Sequence, residues 1–181
     1  YWCIACESAL AEAEVEYKNK SSPSVYVALP MLRPEDLSGI EVLVWTTTPW
    51  TLPGNMAVAF HPDLDYVVAE VHHAAWGKPR LLLMARSRLG PVLKTIGATR
   101  HEIIKSFRGK DLALTHAQGM SHAEFVYQRP FGGKQGIGVL ADYVTAEDGT
   151  GVVHTAPGHG ADDFHTGLKY GLDIMCPVDA S

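Results

Sequence analysis

The feature that most limits the fold of this chain is a succession of short β-branched and aromatic segments separated by turn residues. Each segment is four to seven residues long and is bounded by Gly, Pro, Asp or Asn, which is typical of β-strands. The sequence therefore predicts many short strands joined by tight turns. The predicted strands are Glu14–Tyr17, Ser24–Leu29, Glu41–Thr47, Met56–Phe60, Tyr66–Val71, Leu81–Met84, Ile137–Leu140 and Val152–Thr155.

Helical periodicity, with apolar residues at three- and four-residue intervals, occurs in only a few places. It predicts helices at Ala85–Ile96 and Asp162–Tyr170, and Ser8–Glu14 is a shorter, ambiguous candidate. The region from about 72 to 135 shows no pattern that indicates chemistry. Many strands with few helices favour an α+β, β-rich fold, and we expect a distorted closed β-barrel with a few peripheral helices.

The length and charge of the chain limit its function as well as its fold. At 181 residues and 46% hydrophobic, the chain is long enough to form one domain over 1–181 with its own core. The net charge is −5 and no basic stripe occurs, which is unusual for a self-sufficient nucleic-acid-binding protein. No apolar run is long enough to span a bilayer. Because the chain begins at Tyr1, we interpret it as a piece of a longer protein.

The cysteines indicate a reducing compartment and one possible metal half-site. Their count of three is odd and too low for a disulfide scaffold. Cys3 and Cys6 form a CxxC pair, which is the spacing of half a zinc site or of a redox pair. A complete zinc site needs four ligands, so further ligands would have to come from outside this chain. Two simple packed or exposed thiols explain the same residues.

The segment "VLVWTTTPWTLPGN", which begins at Val42, places three threonines at the end of an apolar strand. The residues from Val42 to Trp45 predict a strand that is buried on both faces. Pro49 and Pro53 cannot donate to a strand ladder, so the strand must end near Thr48. The hydroxyl groups therefore lie at the end of the strand. A β-branched strand end followed by a turn explains these residues without any function.

The segment "GTGVVHTAPGHGADDF" is followed by His165 and carries the other cluster of reactive side chains, which includes His154, His159, Asp162 and Asp163. A glycine-rich loop with one capping aspartate is the interpretation without function. A metal-dependent hydrolase is a second interpretation, although the spacing matches no fixed ligand pattern such as HExxH. In the third interpretation, Asp163 contacts a cationic group of a substrate while His154 and the threonines shape the pocket.

These motifs, together with "LADYV" at Leu140–Val144, resemble the editing domain inserted in isoleucyl-tRNA synthetases of the class I family. The opening "CIACESALAEAEVEY" resembles the chain that enters this insertion. Valyl and leucyl enzymes carry an arginine after two threonines, whereas this chain has Thr48-Pro49. Gly54 stands where alanine is common, and we expect this difference to leave the chemistry unchanged. The resemblance implies that 1–20 and 172–181 connect to a catalytic core outside this chain.

The resemblance also implies roles for individual residues. Such domains hydrolyse the ester between valine and the 3′-terminal adenosine of isoleucine tRNA. Asp163 matches the aspartate that binds the α-ammonium of the substrate, and His154 matches the histidine against which the valine side chain packs. The implied catalytic residues are Thr46, Thr47, Thr48 and Asp163. The implied substrate-binding residues are Trp45, Trp50, Asn55, His154 and Asp163, with Asn55 as the residue whose hydrogen bonds hold the loop.

The expected reaction is direct attack by a positioned water, without metal or cofactor. No serine or cysteine lies beside an obvious base, and an aminoacyl ester is already activated, so positioning supplies much of the rate. Asp163, a threonine and the hydroxyl of the substrate remain alternative proton acceptors. The expected partners are the valine-carrying 3′ end of tRNA(Ile) and the rest of the synthetase, in a cytoplasmic monomer without membrane contact.

Three alternatives remain open from the sequence. One is a module that binds aminoacyl-tRNA ends without cleaving them. Another is the editing domain of a related valyl or leucyl-type synthetase, and the last is a metal-dependent hydrolase that is unrelated to tRNA.

Overall fold

The short apolar segments of the sequence pair into one large sheet, and the computed structural model describes residues 1–3, 5–19, 21–113 and 125–177. A two-stranded ribbon of β1 and β2 precedes the sheet. The strands are β1 Trp2–Cys3, β2 Ser8–Ala9, β3 Val25–Arg33, β4 Ile40–Thr46, β5 Ala57–Phe60, β6 Asp65–His72, β7 Arg80–Ala85, β8 Arg100–Arg108, β9 Val126–Gln128, β10 Gln135–Leu140 and β11 Val152–Thr155. The helices are α1 Leu89–Ile96 and α2 Ala161–Tyr170.

The nine strands of the large sheet follow the order β11-β5-β10-β9-β3-β4-β7-β6-β8. Most neighbouring strands are antiparallel, whereas β4 with β7 and β5 with β10 form parallel pairs. The ladder between β3 and β9 contains a register shift between Met31 and Arg33. Such irregularities bend a sheet and increase its twist.

The alternation of side chains along β4 explains its burial on both faces. Val42 and Val44 belong to the cluster inside the curve of the sheet, which also contains Val58, Tyr127 and residues of other strands. Leu43 points to the other face, where a second cluster includes the buried residues of α1. The predicted burial on both faces is confirmed for Val42, Leu43 and Val44, which are all at most 4% exposed, whereas Trp45 is only half-buried.

The predicted closed barrel is wrong, because the sheet is open. Across the residues that the structure describes, no ladder joins the terminal strands β8 and β11. Strand β11 instead lies against β4, and both edges of β4 are already paired with β3 and β7. A barrel closes only when its last strand finds a free edge. The sheet therefore curves around its core without closing.

Several element predictions also need correction. The segment 14–17 forms no strand, and 8–14 forms β2 and a short 3₁₀ turn instead of a helix. The first predicted helix begins at Leu89, after a 3₁₀ turn over Arg86–Arg88. Strands β8 and β9 lie between Ile96 and Ile137, where the sequence predicts no strand. Most side chains of β8 are exposed, so its pairing with β6 defines this strand rather than any hydrophobic period.

The fold brings two chain segments together at one end of the sheet. Strand β4 ends at Thr46 and leads into the 3₁₀ segment Pro49–Gly54. Strand β11 delivers His154 beside that end, and α2 begins shortly afterwards. Among the described residues, no helix is both long and apolar enough to cross a membrane. The predicted connection at 172–181 extends beyond the described residues from position 178 onwards.

Candidate functional site

A cleft of about 220 Å³ lies where the end of β4 meets β11 and the first turn of α2. The three threonines come from one chain segment, while the histidines and the aspartate come from another that is about 100 residues away in sequence. The contact between β11 and β4 joins them. The cleft is lined by Trp45, Thr46, Thr47, Thr48, Thr51, Val153, His154, His159 and Asp163.

The threonines at the end of β4 form a local hydrogen-bonded turn. Thr46 is buried, and its Oγ1 accepts a hydrogen bond from the Thr48 N–H at 3.0 Å. The Thr46 and Thr48 hydroxyl oxygens are 3.1 Å apart. Thr47 and Thr48 are exposed. This turn therefore leaves one internal hydroxyl that holds the backbone and two hydroxyls that face the cleft or solvent.

Thr51 extends this turn through the proline-bracketed segment. Pro49 starts the 3₁₀ helix, which suits a residue with a fixed φ and no N–H. The Thr51 hydroxyl donates to the Thr48 carbonyl at 2.8 Å. The same hydroxyl oxygen lies 3.0 Å from Nε2 of His154. Thr51 thus connects the threonine turn to the histidine of the opposite segment.

His154 is a buried, neutral histidine with a partner on each ring nitrogen. Its Nδ1 lies 2.7 Å from the Asn55 Nδ2, and its Nε2 faces Thr51. Burial lowers the pKa of His154 to about 4, and the nearby His159 adds to this effect. The charged form is disfavoured because the ring has lost its water contacts. At neutral pH the cleft therefore has an uncharged aromatic wall.

Asp163 supplies the negative charge of the cleft. Its Oδ2 accepts the Ala156 N–H at 2.9 Å, and its Oδ1 accepts the Tyr143 hydroxyl at 3.3 Å. Burial raises the pKa of this carboxyl, and the two hydrogen bonds oppose that rise. A partly buried carboxylate with one long hydrogen bond can still accept a strong charged donor. The position is suited to binding a cation.

The prediction that one of the two aspartates caps α2 is wrong. Gly160 is the N-cap residue of α2, and no side chain completes the cap. Asp163 instead bonds back to the chain before the helix, as described above. Asp162 is exposed. The helix therefore orients Asp163 towards the cleft without using its carboxylate as a cap.

Two glycines allow close approach at the rim of the cleft. Gly149 has φ +63° and packs on Trp45, since a Cβ there would lie 3.0 Å from the ring. Gly54 faces His159, and a Cβ at this position would lie 3.0 Å from Cδ2 of that ring. The Nε2 of His159 is buried and has no hydrogen-bond partner among the residues that the structure describes. A side chain at position 54 would therefore press directly on a residue that lines the cleft.

Most of the predicted site residues lie together, but two do not. Trp45, the three consecutive threonines, His154 and Asp163 all line the cleft. Trp50 is 58% exposed and lies outside the lining. Asn55 is fully buried behind His154 and does not face the cleft. The predicted hydrogen-bonding role of Asn55 thus has direct partners, whereas its contact with a substrate has none in this geometry.

Sequence reasoning missed Thr51, Val153 and His159 as lining residues. Thr51 follows Thr48 by one turn of the proline-bracketed segment, and this spacing was a usable signal. His159 belongs to the reactive cluster of the loop, but its spacing matches no motif, and the sequence therefore predicts no role for it. Val153 alternates with His154 on a short strand, and only the contact with β4 brings it to the cleft.

The geometry does not assemble a protein metal site in the part of the chain that the structure describes. No group of three or more His, Cys, Asp or Glu side chains there is arranged to hold a metal ion. Cys3 is partly buried and Cys6 is exposed. A hydrogen bond with Cys6 lowers the pKa of the Cys3 thiol. Half of a zinc site at this pair remains a prediction.

Sequence comparison identifies relatives of this chain among the isoleucine–tRNA ligases. The enzyme of Bacillus licheniformis is 43% identical over 181 residues, and that of Nitratidesulfovibrio vulgaris strain DP4 is 47% identical over 186 residues. The alignments cover 99% and 98% of this chain but only 18% of each relative. The chain thus spans about a fifth of the length of these curated relatives. No protein-family model matches it.

Solved structures with the same fold are editing domains of leucyl-tRNA synthetases. The domain from the cytosolic enzyme of P. knowlesi has a TM-score of 0.57 at 13% identity, covering 88% of this chain and 71% of that chain. The domain from P. falciparum in space group P2₁ has a TM-score of 0.55 at 13% identity, covering 74% and 50%. The chain is therefore homologous to isoleucine–tRNA ligases and has the fold of synthetase editing domains.

Proposed function

We propose that this chain is the editing domain of an isoleucine–tRNA ligase and that it hydrolyses the ester of mischarged valyl-tRNA(Ile). The observation that carries this proposal is the small cleft in which one carboxylate faces several hydroxyls and a neutral histidine. The homology to isoleucine–tRNA ligases supports the substrate class. The proposed partners are the 3′ end of tRNA(Ile) and the rest of a synthetase chain, with the protein acting as a cytoplasmic monomer.

Asp163 is the proposed anchor for the α-ammonium of the aminoacyl group. Within the described part of the chain, its Oδ1 accepts one long hydrogen bond, from Tyr143, so an ammonium can share this oxygen. Burial raises the pKa of the Asp163 carboxyl. A bound cation would lower this pKa again, because it favours the charged carboxylate. The pairing of two charges in a partly dry cleft would fix the orientation of the ester.

The threonines are the proposed groups around the ester and the attacking water. Thr47 and Thr48 are exposed at the cleft, and Thr46 holds the backbone of the turn. A hydroxyl group can both donate and accept, which suits the positioning of a water beside a carbonyl. Positioning alone can supply a large part of the rate for an activated ester. We propose no metal, cofactor or covalent intermediate for this reaction.

Selectivity against the correct product is proposed to arise from the wall formed by His154. A synthetic site for isoleucine can reject valine only weakly, a limit for which isoleucyl-tRNA synthetases are the standard example. A second, smaller site can reject the larger side chain more strongly, because an added methyl group must displace packed atoms. His154 is held on both ring nitrogens, so its ring cannot easily move aside.

The experiment that tests this function is a pair of deacylation time courses. The chain is incubated with valyl-tRNA(Ile) and, separately, with isoleucyl-tRNA(Ile), and the remaining charged tRNA is measured. We expect hydrolysis of the valyl ester and survival of the isoleucyl ester. Binding of both tRNAs without hydrolysis would show that the chain is a binding module and not an enzyme. Cleavage that stops after exhaustive chelation would instead favour a metal-dependent hydrolase.

The same assay with His154→Ala tests the wall. Removing the ring enlarges the cleft, so we expect the variant to cleave isoleucyl-tRNA(Ile) as well. His101→Ala is the matched control, because His101 is exposed on β8 and distant in sequence from both cleft segments. The His154→Ala variant could instead spare the isoleucyl ester and cleave the valyl ester at the normal rate. This result would show that the threonines, and not His154, determine the selectivity.

A further inference from the structure

The orientation of the Asn55 amide follows from its buried partners. The Ala57 carbonyl lies 3.1 Å from Nδ2 and can only accept, so the nitrogen of the amide must face it. The Asn55 Oδ1 can only accept, and the Tyr127 hydroxyl donates to it at 2.5 Å. Asn55 and Tyr127 are both 0% exposed, so water cannot replace either partner. One amide orientation satisfies both contacts.

This orientation determines which nitrogen of His154 carries the proton. The Nδ2 of Asn55 is a donor, and it lies 2.7 Å from Nδ1 of His154. Nδ1 must therefore accept, which leaves the ring proton on Nε2. The Nε2–H then donates to Thr51 Oγ1 at 3.0 Å, and Thr51 donates its own proton to the Thr48 carbonyl at 2.8 Å. Each proton in the chain from Tyr127 to Thr48 has one acceptor.

We propose that Asn55 is a positioning residue that holds His154 in the neutral Nε2–H tautomer. In this tautomer neither ring nitrogen can take a proton from water, because Nδ1 is occupied by the amide and Nε2 already carries hydrogen. His154 is then a rigid hydrogen-bond donor to the threonine turn and not a general base. The catalytic consequence rests on the proposed deacylase function, whereas the tautomer itself does not.

Long-range ¹H–¹⁵N NMR of the histidine-labelled chain at neutral pH tests the tautomer directly. The His154 resonances are identified by their loss in a His154→Gln variant. We expect a pyridine-like shift for Nδ1 and a pyrrole-like shift for Nε2. The opposite pattern, an equal average of the two shifts, or an imidazolium pattern in the wild-type chain would overturn the proposal. This result does not depend on any deacylase activity.

The Asn55→Asp variant tests the cause. A carboxylate can only accept, so we expect Nδ1 of His154 to become protonated and its shift to become pyrrole-like. Tyr66→Phe is the matched control: Tyr66 is equally buried, and its hydroxyl accepts the His61 N–H and donates to the Gly151 carbonyl, away from Asn55 and His154. A folded Asn55→Asp protein with an unchanged Nδ1 shift, or an equal shift change in Tyr66→Phe, would overturn the role of Asn55. If Asn55→Asp does not fold, the spectrum of the wild-type chain still shows whether His154 has the proposed tautomer.

Deacylation kinetics separate this proposal from the proposed function. We expect kcat for valyl-tRNA(Ile) to fall by about tenfold or more in Asn55→Asp, because a ring protonated on Nδ1 no longer donates from Nε2 to Thr51 and the threonine turn loses that anchor. We expect kcat to remain near wild type in Tyr66→Phe. A wild-type chain with the expected tautomer and no deacylation would refute the function and leave the tautomer assignment standing. Full kcat in Asn55→Asp with a protonated Nδ1 would overturn the positioning role.

Discussion

Two clefts lie at opposite ends of the same central strand, β4, and they differ in how their charges are used. The larger cleft, of about 840 Å³, is lined by Ile40 and Glu41 at the start of the strand. The smaller one, of about 220 Å³, lies at the end of the strand near Thr46. In the larger cleft, Arg80 donates two hydrogen bonds of 2.6 Å to Glu41. Its guanidinium also lies 5.1 Å from the Trp76 ring centroid.

The comparison shows that cleft size is a poor guide to chemistry in this fold. In the larger cleft, the Arg80 guanidinium and the Glu41 carboxylate neutralise each other through two hydrogen bonds. Each group therefore stabilises the charged form of the other. In the smaller cleft, by contrast, burial shifts the pKa values of Asp163 and His154 against their charged forms. Shifted pKa values of this kind are typical of functional sites. The smaller cleft is therefore the stronger candidate, and the following predictions test this contrast.

The largest expected effect is the loss of the carboxylate in the smaller cleft. Asp163→Asn keeps an oxygen that can accept the Ala156 N–H but removes the charge that would bind an ammonium. Losing a charged hydrogen bond in this setting costs about 2–4 kcal/mol, so we expect a fall of about 30-fold to 1,000-fold in kcat/KM for valyl-tRNA(Ile).

Asp162→Asn is the matched control for that experiment. It makes the same chemical change at the preceding position of α2, where the side chain is exposed. The deacylation rate should remain near that of the wild-type chain. Equal rates for Asp163→Asn and the wild type, in a folded protein, would remove Asp163 from the site.

The next effect concerns stability at acid pH. Burial lowers the pKa of His154 to about 4 from its ordinary 6.5, so the unfolded chain binds the proton first as the pH falls. The free energy of unfolding therefore falls as the pH is lowered from 6.5 to 4. The pKa shift of His154 corresponds to a loss of about 3 kcal/mol over this range. Urea unfolding at a series of pH values measures this loss.

Comparison with His154→Gln isolates that histidine from other groups. The raised pKa of Asp163 acts in the opposite direction, because the folded state binds that proton more readily as the pH falls. The variant retains Asp163, so its stability should decline less than that of the wild type between pH 6.5 and 4. Parallel pH profiles for the two proteins would show that His154 is not buried as a neutral ring.

A smaller effect is expected for Gly54→Ala. The new Cβ would lie 3.0 Å from Cδ2 of His159, which lines the cleft, so this ring must move by a few tenths of an ångström. We therefore predict a less than tenfold loss in kcat/KM, about 1 kcal/mol or less, and this measurement tests the expectation that the residue at position 54 leaves the chemistry unchanged. Gly77→Ala is the control, because its Cβ would meet no atom within 4 Å and it lies in the larger cleft. Identical kinetics for both variants would show that His159 does not shape the site.

The smallest effect is expected in the larger cleft. Glu41→Gln keeps a hydrogen-bond acceptor for Arg80 but removes the charge of the pair. The two side chains are 20% and 34% exposed, so solvent screens the pair and we expect a loss of about 1 kcal/mol or less in the free energy of unfolding. Deacylation should remain unchanged. A strong loss of activity in a folded Glu41→Gln protein would reverse the ranking of the two clefts.

The sequence predicted the structure correctly where the properties of neighbouring residues alone determine the local conformation. The residues from Val42 to Val44 are apolar without interruption and form the doubly buried strand that they predict. Prolines 49 and 53 end that strand because they cannot enter its ladder. The helix at Asp162–Tyr170 differs from the structure by one residue at its start. The clustering of the threonines at a strand end is equally local.

The sequence was uninformative where a strand is defined by its neighbour. Strand β8 carries mostly exposed side chains and becomes a strand because β6 offers it a free edge. The predicted barrel failed for a related reason: β11 lies against β4, whose two edges are already occupied. Such pairings depend on contacts between distant segments, and residue pattern alone does not encode them.

The sequence by itself determined which side chains are available to the site, namely the threonines after β4 and the histidine and aspartate near α2. Only the tertiary structure decided which of them share a cleft, since Trp50 points to solvent and Asn55 lies behind His154. It also decided their protonation. Burial and hydrogen-bond partners control the pKa and tautomer of a histidine, and both come from residues such as Tyr127 and Thr51, which lie far from His154 along the chain.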